Sequence, residues 1–224
     1  MARRRLKLAA VAAGAAALLA GCGLHPGAAA VVGSQSISHA EVDDVALAVC
    51  RANVAGAEAS GQPASPLPSR GARELAVELL VDTELAQQLG EREGVEADQQ
   101  AVAQAVAQNE AGLALLDAEQ QEQLRSTLRD YAASQFMLIE VGRKSLGSQV
   151  PEEAALAEGQ RILGEYAASV DVEIDPRYGS YDESGFRAGG TALSVAASES
   201  AKEGDRARPN DSFIAEMPAS QLCR

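Results

Sequence analysis

The sequence predicts a mainly α-helical protein with long helices and a small two- or three-stranded sheet that joins its N- and C-terminal segments. Apolar residues recur every three or four positions through most of residues 38–170, as they do along one face of a helix. Two short segments, 29–32 and 172–174, instead have the composition of strands. Because a single strand cannot satisfy its own backbone hydrogen bonds, we expect these two segments to pair.

The N-terminus resembles an export signal with a lipid attachment site. A basic start at residues 3–7 precedes an Ala- and Leu-rich run that is shorter than the roughly 20 residues that span a bilayer. Leu19-Ala20-Gly21-Cys22 is similar to the lipobox of bacterial lipoproteins, whose cysteine thiol takes a diacylglycerol. We expect residues 1–21 to be removed, Cys22 to carry the lipid and residues 22–28 to form a tether. The alternatives are a soluble secreted protein with an incidental cysteine and an uncleaved anchor helix.

Lipidation at Cys22 would hold the protein on the extracytoplasmic face of the cell membrane. The net charge is −13, and loss of the four cations in residues 1–21 leaves the mature chain near −17. A chain this acidic argues against nucleic acid as a partner, since phosphate is bound by clustered Lys and Arg. Aromatic residues are only 3% of the chain and Trp is absent, which argues against a large aromatic ligand pocket.

The chain contains three cysteines, Cys22, Cys50 and Cys223. If Cys22 is lipidated, an even pair remains in an oxidising compartment, and a Cys50–Cys223 disulfide is the favoured prediction. The alternative is two unpaired thiols. The bond would tie the C-terminal tail to the first helix.

The first half of the domain is predicted as three helices. Ser38 and Glu41 have the spacing of a capping box, and the helix they begin should reach about residue 55. Three prolines make residues 59–69 a loop. The second helix should end at Gly90 as a left-handed cap. The third, over residues 95–109, has a thin apolar face.

The second half begins with an unusually long helix. It should start at Asp117 and end at Leu146, just before Gly147, and a helix of that length favours a strut or clamp arm. Pro151 suits the first position of the next helix. After the strand at 172–174, residues 183–224 are rich in Gly, Ser, Ala and charge, so we expect a mostly disordered tail. Phe213, Ile214 and Cys223 are its possible docking points.

The sequence carries no recognisable catalytic, cofactor or metal motif. The histidines are His25, in the tether region, and His39, expected on an exposed side of the first helix. A catalytic triad with His39 lacks the accompanying Gly-x-Ser-x-Gly turn. Asp43-Asp44 and Glu152-Glu153 are expected to be solvated surface. Cys50 has no Cys-x-x-Cys partner. We therefore predict no enzyme activity, no cofactor and no metal.

Residues 29–42 (AAVVGSQSISHAEV) resemble the opening of SurA- and PrsA-like extracytoplasmic chaperones: a strand, a turn, a return strand and a capped helix. Val32 stands where the family usually has Asn. Residues 94–97 resemble the family's link into its next helix, and 172–179 (VEIDPRYG) the segment that closes the module in actinobacterial lipoprotein members. The resemblance covers about residues 29–182. The interval 95–169 is helical throughout, so it leaves no room for the parvulin-type isomerase domain of many relatives.

The resemblance implies a chaperone-like helical domain without isomerase activity. Its function would be that of a membrane-anchored holdase that binds unfolded or nascent secreted polypeptides. The alternative is a structural or interaction lipoprotein that docks one specific envelope partner, and an enzyme is a distant third. The sequence does not specify the clients or the oligomeric state.

Overall fold

The computed structural model describes residues 27–114, 116–182, 184–189, 196–204, 206 and 209–223. The predicted export signal, Cys22 and most of the tether lie outside these residues. The described chain is mainly helical, with one three-stranded and one two-stranded antiparallel sheet, and this confirms the fold class.

The described part of the chain begins with two strands, continues through six helices and three further strands, and ends with two short helices and a 3₁₀ turn. The helices are α1 (His39–Ser60), α2 (Ser69–Glu93), α3 (Gln99–Ala107), α4 (Glu110–Leu113), α5 (Ala118–Leu146), α6 (Glu152–Ala167), α7 (Glu199–Gly204) and α8 (Asp211–Ala215). The strands are β1 (Ala28–Val32), β2 (Gln35–Ser38), β3 (Val172–Ile174), β4 (Gly179–Asp182) and β5 (Gly185–Ala188). A 3₁₀ turn covers Ala219–Gln221.

Strand β1 is the centre of the three-stranded sheet, with β2 and β3 antiparallel on its two sides. Val31 pairs with Glu173 and Val32 with Val172, which confirms the predicted pairing of distant segments. Every residue of β1 is buried, because α1 and α2 pack against it. The small apolar side chains of β1 let both helices approach the strand.

Two of the long helices begin at the N-cap residues that the sequence predicts. The Glu41 N–H donates to Ser38 Oγ at 3.2 Å, and the Ser38 N–H donates to Glu41 Oε2 at 2.7 Å, so the capping box of α1 is complete. Asp117 accepts a hydrogen bond from the Gln120 N–H and starts α5. The last residue of α5 is Leu146, next to Gly147, as predicted.

Three predicted helix limits are wrong by about a turn. Helix α1 continues past residue 55 to Ser60. Helix α2 continues through Gly90 to Glu93, and Gly94, with φ of 64°, is its left-handed cap. Position 90 requires glycine because of tertiary packing, since a Cβ there would lie 2.0 Å from Met137 Sδ. Helix α3 covers only Gln99–Ala107, because the Asp98 carboxylate caps it.

Helix α5 is a packed element of the body rather than a free arm. It contacts α1, α2, α3 and α6, and its buried side chains face all of them. Leu138 and Val141 pack with Ala86 and Leu89 of α2, while Leu124 packs with Ala48 of α1. Helix α5 therefore contributes to the core along its whole length.

The contact between α5 and α6 is so close that two glycines are required. A Cβ on Gly142 would lie 1.8 Å from the carbonyl oxygen of Ala155, and a Cβ on Gly159 would lie 2.0 Å from that of Leu138. In both cases the obstacle is backbone, which cannot rotate away as a side chain can. The two helices therefore touch main chain to main chain.

The tail also differs from its prediction. Within its described part, residues 185–188 form β5 and pair with β4, and α7, α8 and the 3₁₀ turn follow. The composition suggested disorder because it offers few apolar residues. Order instead comes from a hairpin, from hydrogen bonds to the body and from a covalent bond at Cys223.

We expect Gly159→Ala to destabilise the protein by about 2–4 kcal/mol, because the methyl group collides with the backbone of α5. The matched control is Gly164→Ala on the same helix, where no atom lies within 4 Å. This control should stabilise by about 0.5–1 kcal/mol through helix propensity. Urea unfolding of both variants measures the difference, and equal midpoints would contradict the main-chain contact.

Candidate functional site

An apolar cleft of about 860 Å³ lies along the first half of α2. Its other sides are the proline-rich loop before α2, strand β5 and the C-terminal segment, which we define as residues 209–223. The apolar side chains that line it are Leu67, Leu75, Phe186, Ala188, Phe213, Ile214 and Met217. Leu75 is 47% exposed although it points from a helix that is otherwise well packed. The volume is in the range of binding clefts.

The loop and the C-terminal segment are joined through their backbones. Leu67 lies between Pro66 and Pro68, which favour extended backbone and cannot donate hydrogen bonds. The Leu67 carbonyl accepts from the Cys223 N–H at 2.8 Å, and Pro68 and Leu222 form an antiparallel bridge. The C-terminal segment therefore adds to the loop in the manner of a short strand and closes one side of the cleft.

Cys50 and Cys223 are brought together in the structure and form a disulfide with a Cα–Cα distance of 5.1 Å. Cys50 lies in α1 and its residue is 8% exposed, so the bond anchors the C-terminal segment to the core. The two residues are 173 positions apart in the sequence. The wall of the cleft that contains Phe213, Ile214 and Met217 thus depends on a covalent link to α1.

A buried ion pair also connects the cleft to the tail. Arg70 Nε donates to Glu74 Oε1 at 2.8 Å, and the Glu74 side chain is only 7% exposed. Arg70 also donates through a terminal nitrogen to the carbonyl of Gly204, at the end of α7. The guanidinium group therefore holds α2 and the tail at a fixed separation.

Two carboxylates on α2 and one tyrosine on β4 lie at and beyond the end of the cleft. Glu78 lines the cleft, and Asp82 follows one helical turn later. Although Asp82 as a whole residue is exposed, desolvation of its carboxyl group, followed by the charge of Glu78, raises its pKa from 3.8 to about 6. Burial, followed by the charges of Asp82 and Glu78, raises the pKa of Tyr181 to about 12. This region disfavours negative charge.

A second recess, of about 410 Å³, adjoins the cleft and is lined by cations. We call it the arginine recess; its residues are His39, Asp43, Arg70, Arg73, Arg177 and Tyr178. His39 Nδ1 lies 2.9 Å from Tyr178 Oη, and His39 Nε2 lies 2.9 Å from a terminal nitrogen of Arg177. Arg73 Nε donates to Asp43 at 2.6 Å. Arg70 and Arg73 also line the cleft, so both side chains are common to the two spaces.

His39 is placed differently from its prediction. It was expected on an exposed side of α1, but its side chain is only 28% exposed. Both ring nitrogens are engaged, one by Tyr178 and the other by Arg177. Among the contacts of the described residues, no serine or cysteine side chain hydrogen-bonds to this ring. The arrangement is that of a polar contact between α1 and the turn after β3.

The other predicted positions fall into two groups. Asp44, Glu152 and Glu153 are exposed, whereas Asp43, also exposed, pairs with Arg73 of the neighbouring helix. Neither the cleft nor the arginine recess is predicted by the sequence. The one local signal was the spacing of Arg70 and Arg73, which places both on one side of α2.

Neither a membrane helix nor a metal site is found in the part of the chain that the structure describes. No helix there is both long enough and apolar enough to cross a bilayer. No group of three or more His, Cys, Asp or Glu side chains there is arranged to hold a metal ion.

Comparison of the chain with protein-family models, with curated proteins and with solved structures finds no match.

Loss of the disulfide should free the C-terminal segment and leave the body folded. We expect the Cys50→Ser/Cys223→Ser variant to lose about 2–5 kcal/mol of stability, the range for closure of a long loop. Protease cleavage near Arg206 and Phe213 should then become rapid, while residues 27–182 stay protected. Limited proteolysis with mass spectrometry measures both regions in the oxidised and the variant protein. Equal protection of the segment in the two proteins would contradict its dependence on the bond.

The raised pKa of Asp82 predicts that the residue lowers stability at neutral pH. The folded protein binds this proton more readily than the unfolded chain, so protonation of Asp82 favours the folded state. This contribution to stability is lost as pH rises from about 4 to about 6. Asp82→Asn should therefore raise stability at pH 7, by about 1 kcal/mol or less because solvent screens the partly exposed residue. The gain should vanish near pH 4. Urea unfolding across this range measures it, and the exposed Glu96→Gln is the control that should show no such trend.

Proposed function

We propose that this protein is a membrane-anchored extracytoplasmic holdase that binds apolar segments of unfolded or nascent secreted polypeptides in the cleft. The observation that carries the proposal is the cleft itself, with Leu75 47% exposed at its base and Phe213, Ile214 and Met217 along one wall. Exposed apolar surface of this extent costs solubility and typically marks a binding site. A polypeptide segment is the ligand that such an open, elongated apolar surface suits.

The surroundings of the cleft support a peptide ligand rather than a reacting small molecule. The cleft has a mixed polar edge, with Arg70, Arg73 and Glu78 on α2 and Ser220 and Gln221 on the C-terminal segment. Side chains of both charge signs accept varied neighbouring sequences, as a holdase requires. The resemblance of residues 29–42 and 172–179 to SurA- and PrsA-like chaperones leads to the same proposal.

The proposed location rests on Leu19-Ala20-Gly21-Cys22. A lipid on Cys22 would hold the protein at the membrane surface where exported chains emerge. Confinement there raises the effective concentration of the cleft for its clients, so that a modest affinity is sufficient. No isomerase activity is proposed.

The test is suppression of client aggregation by the chain from Gly23 onwards. A denatured client diluted into buffer should scatter less light when this protein is present at near-stoichiometric ratio. Leu75→Gln should weaken the effect about tenfold, because it replaces the exposed apolar side chain at the base of the cleft. Leu146→Gln is the matched control: Leu146 is 50% exposed at the end of α5 and does not line the cleft. It should retain full activity.

Both variants replace exposed side chains, so thermal unfolding should be close to that of the parent protein. No suppression by the parent protein at several-fold excess would refute the holdase. A single stable complex with one envelope protein, without general suppression, would instead favour the interaction lipoprotein. Equal loss of aggregation suppression in Leu75→Gln and Leu146→Gln would show that the activity does not depend on the cleft.

A further inference from the structure

We propose that the arginine recess is an oxyanion subsite that binds a carboxylate group of the polypeptide held in the cleft. This inference rests on the proposed function and specifies its ligand: an apolar segment flanked by Asp or Glu. The shared chemistry is a planar or tetrahedral oxyanion, for which guanidinium groups offer pairs of parallel N–H donors.

The recess brings three guanidinium groups together in a chain whose net charge is −13. Two of them belong to α2, and the third, Arg177, comes from the turn after β3, so residues more than 100 positions apart in the sequence meet here. Each arginine pairs with a carboxylate: Arg70 with Glu74, Arg73 with Asp43 and Arg177 with Asp175. Attraction of a negatively charged ligand therefore depends on the arginine whose ion pair is most exposed to solvent.

Two of the arginines are held by carboxylates that lie behind them. Asp175 accepts from Arg177 Nε at 3.0 Å and is 15% exposed, while the Arg177 side chain is 57% exposed. Glu74 is 7% exposed and holds Arg70, which is 35% exposed. The hydrogen bonds from Arg177 lower the pKa of Asp175, so this support stays ionised. These hydrogen bonds fix the orientation of both guanidinium groups at the edge of the recess.

Arg73 is the arginine most available to a ligand. Its Nε donates to Asp43, but the two side chains are 48% and 55% exposed. An ion pair this exposed contributes little to stability and can exchange one carboxylate for another. Among the described residues, the terminal nitrogens of Arg73 have no hydrogen-bond partner. They offer the parallel donors that a carboxylate accepts.

A chain of hydrogen bonds directs one further donor into the recess. Arg177 donates to His39 Nε2, so the neutral ring carries its proton on Nδ1 and donates to Tyr178 Oη. The hydroxyl proton of Tyr178 is then free for a ligand. Burial, the largest cause, raises the pKa of Tyr178, which keeps this proton in place at neutral pH. Polarisation by Arg177 along the chain strengthens the hydroxyl as a donor.

The cleft and the recess share Arg70 and Arg73, which connects the two sites physically. A polypeptide that leaves the apolar cleft past α2 passes these side chains first. An acidic residue next to its apolar segment would pair with Arg73 and reach the Tyr178 hydroxyl. A lysine at the same place would meet three guanidinium groups. The subsite therefore discriminates by charge between clients of equal apolarity.

The experiment compares labelled peptides that share one apolar sequence and are flanked at both ends by Glu, by Gln or by Lys. Fluorescence anisotropy with the full mature chain should show the Glu peptide binding about tenfold more tightly than the Gln peptide, and the Lys peptide binding most weakly. Arg73→Gln should reduce the ratio of the Gln-peptide to the Glu-peptide dissociation constant to less than about twofold, and this ratio is the readout because Arg73 also lines the cleft. Arg161→Gln is the control, since Arg161 is 52% exposed on α6 and lines neither space.

A second variant, Tyr178→Phe, should lower the Glu preference by a smaller factor, and circular dichroism checks that it folds. Inorganic phosphate should compete with the Glu peptide only. If the Gln peptide binds and the Glu peptide binds no more tightly, the subsite is refuted while the holdase stands. If phosphate binds but no preference for the Glu peptide exists, the recess takes free anions and the inference is also overturned. If no peptide binds, the cleft proposal itself fails, and the subsite fails with it.

Discussion

The backbone of α6 lies directly on the backbone of α5, and the path of the chain after residue 167 follows from that contact. Gly142 and Gly159 leave no room for a side chain between the helices, so the direction of α6 is fixed by main-chain atoms. Its last turn brings the chain to β3, which must pair with β1 to satisfy its backbone. The turn after β3 carries Arg177 and Tyr178, and the hairpin that follows carries Phe186. One helix contact thus positions parts of both the cleft and the arginine recess.

Stability and binding make opposite demands on the first half of α2. Ala72, Ala76 and Val77 on one face are buried against β1 and α1, whereas Leu75 on the other face remains open to the cleft. The buried Glu74 pairs with Arg70, and the same arginine reaches the tail. The helix therefore belongs to the core on one side and to the lining of the cleft on the other. The acidic residues Glu78 and Asp82 mark where this surface gives way to the hairpin.

The body of the fold could be predicted from local pattern, and the site could not. The capping box at Ser38 and the limits of α5 follow from short-range rules, and the pairing of residues 29–32 with 172–174 follows from the need of each isolated strand for a hydrogen-bonding partner. Gly90 and Gly94 are equally suited by sequence to end α2 as a left-handed cap. The tertiary contact of Gly90 with Met137 distinguishes them. The arginine recess combines residues from α1, α2 and the turn after β3, whose proximity has no local signal. The order of the tail depends on the Cys50–Cys223 disulfide, which the cysteine count predicts, and on a hairpin and backbone hydrogen bonds that the composition of residues 183–224 does not indicate.

The separation of 173 residues between Cys50 and Cys223 affects the order in which the fold can be completed. At synthesis rates of about 5–20 residues per second, a chain that emerges from its N-terminus presents Cys50 roughly 10–35 seconds before its partner. During that interval α1, α2 and the sheet can assemble around a free thiol, whereas the wall that contains Phe213 cannot be secured. Completion of the cleft is then the final event of maturation. If the cleft binds polypeptides as proposed, the protein acquires this capacity only after its own chain has emerged in full.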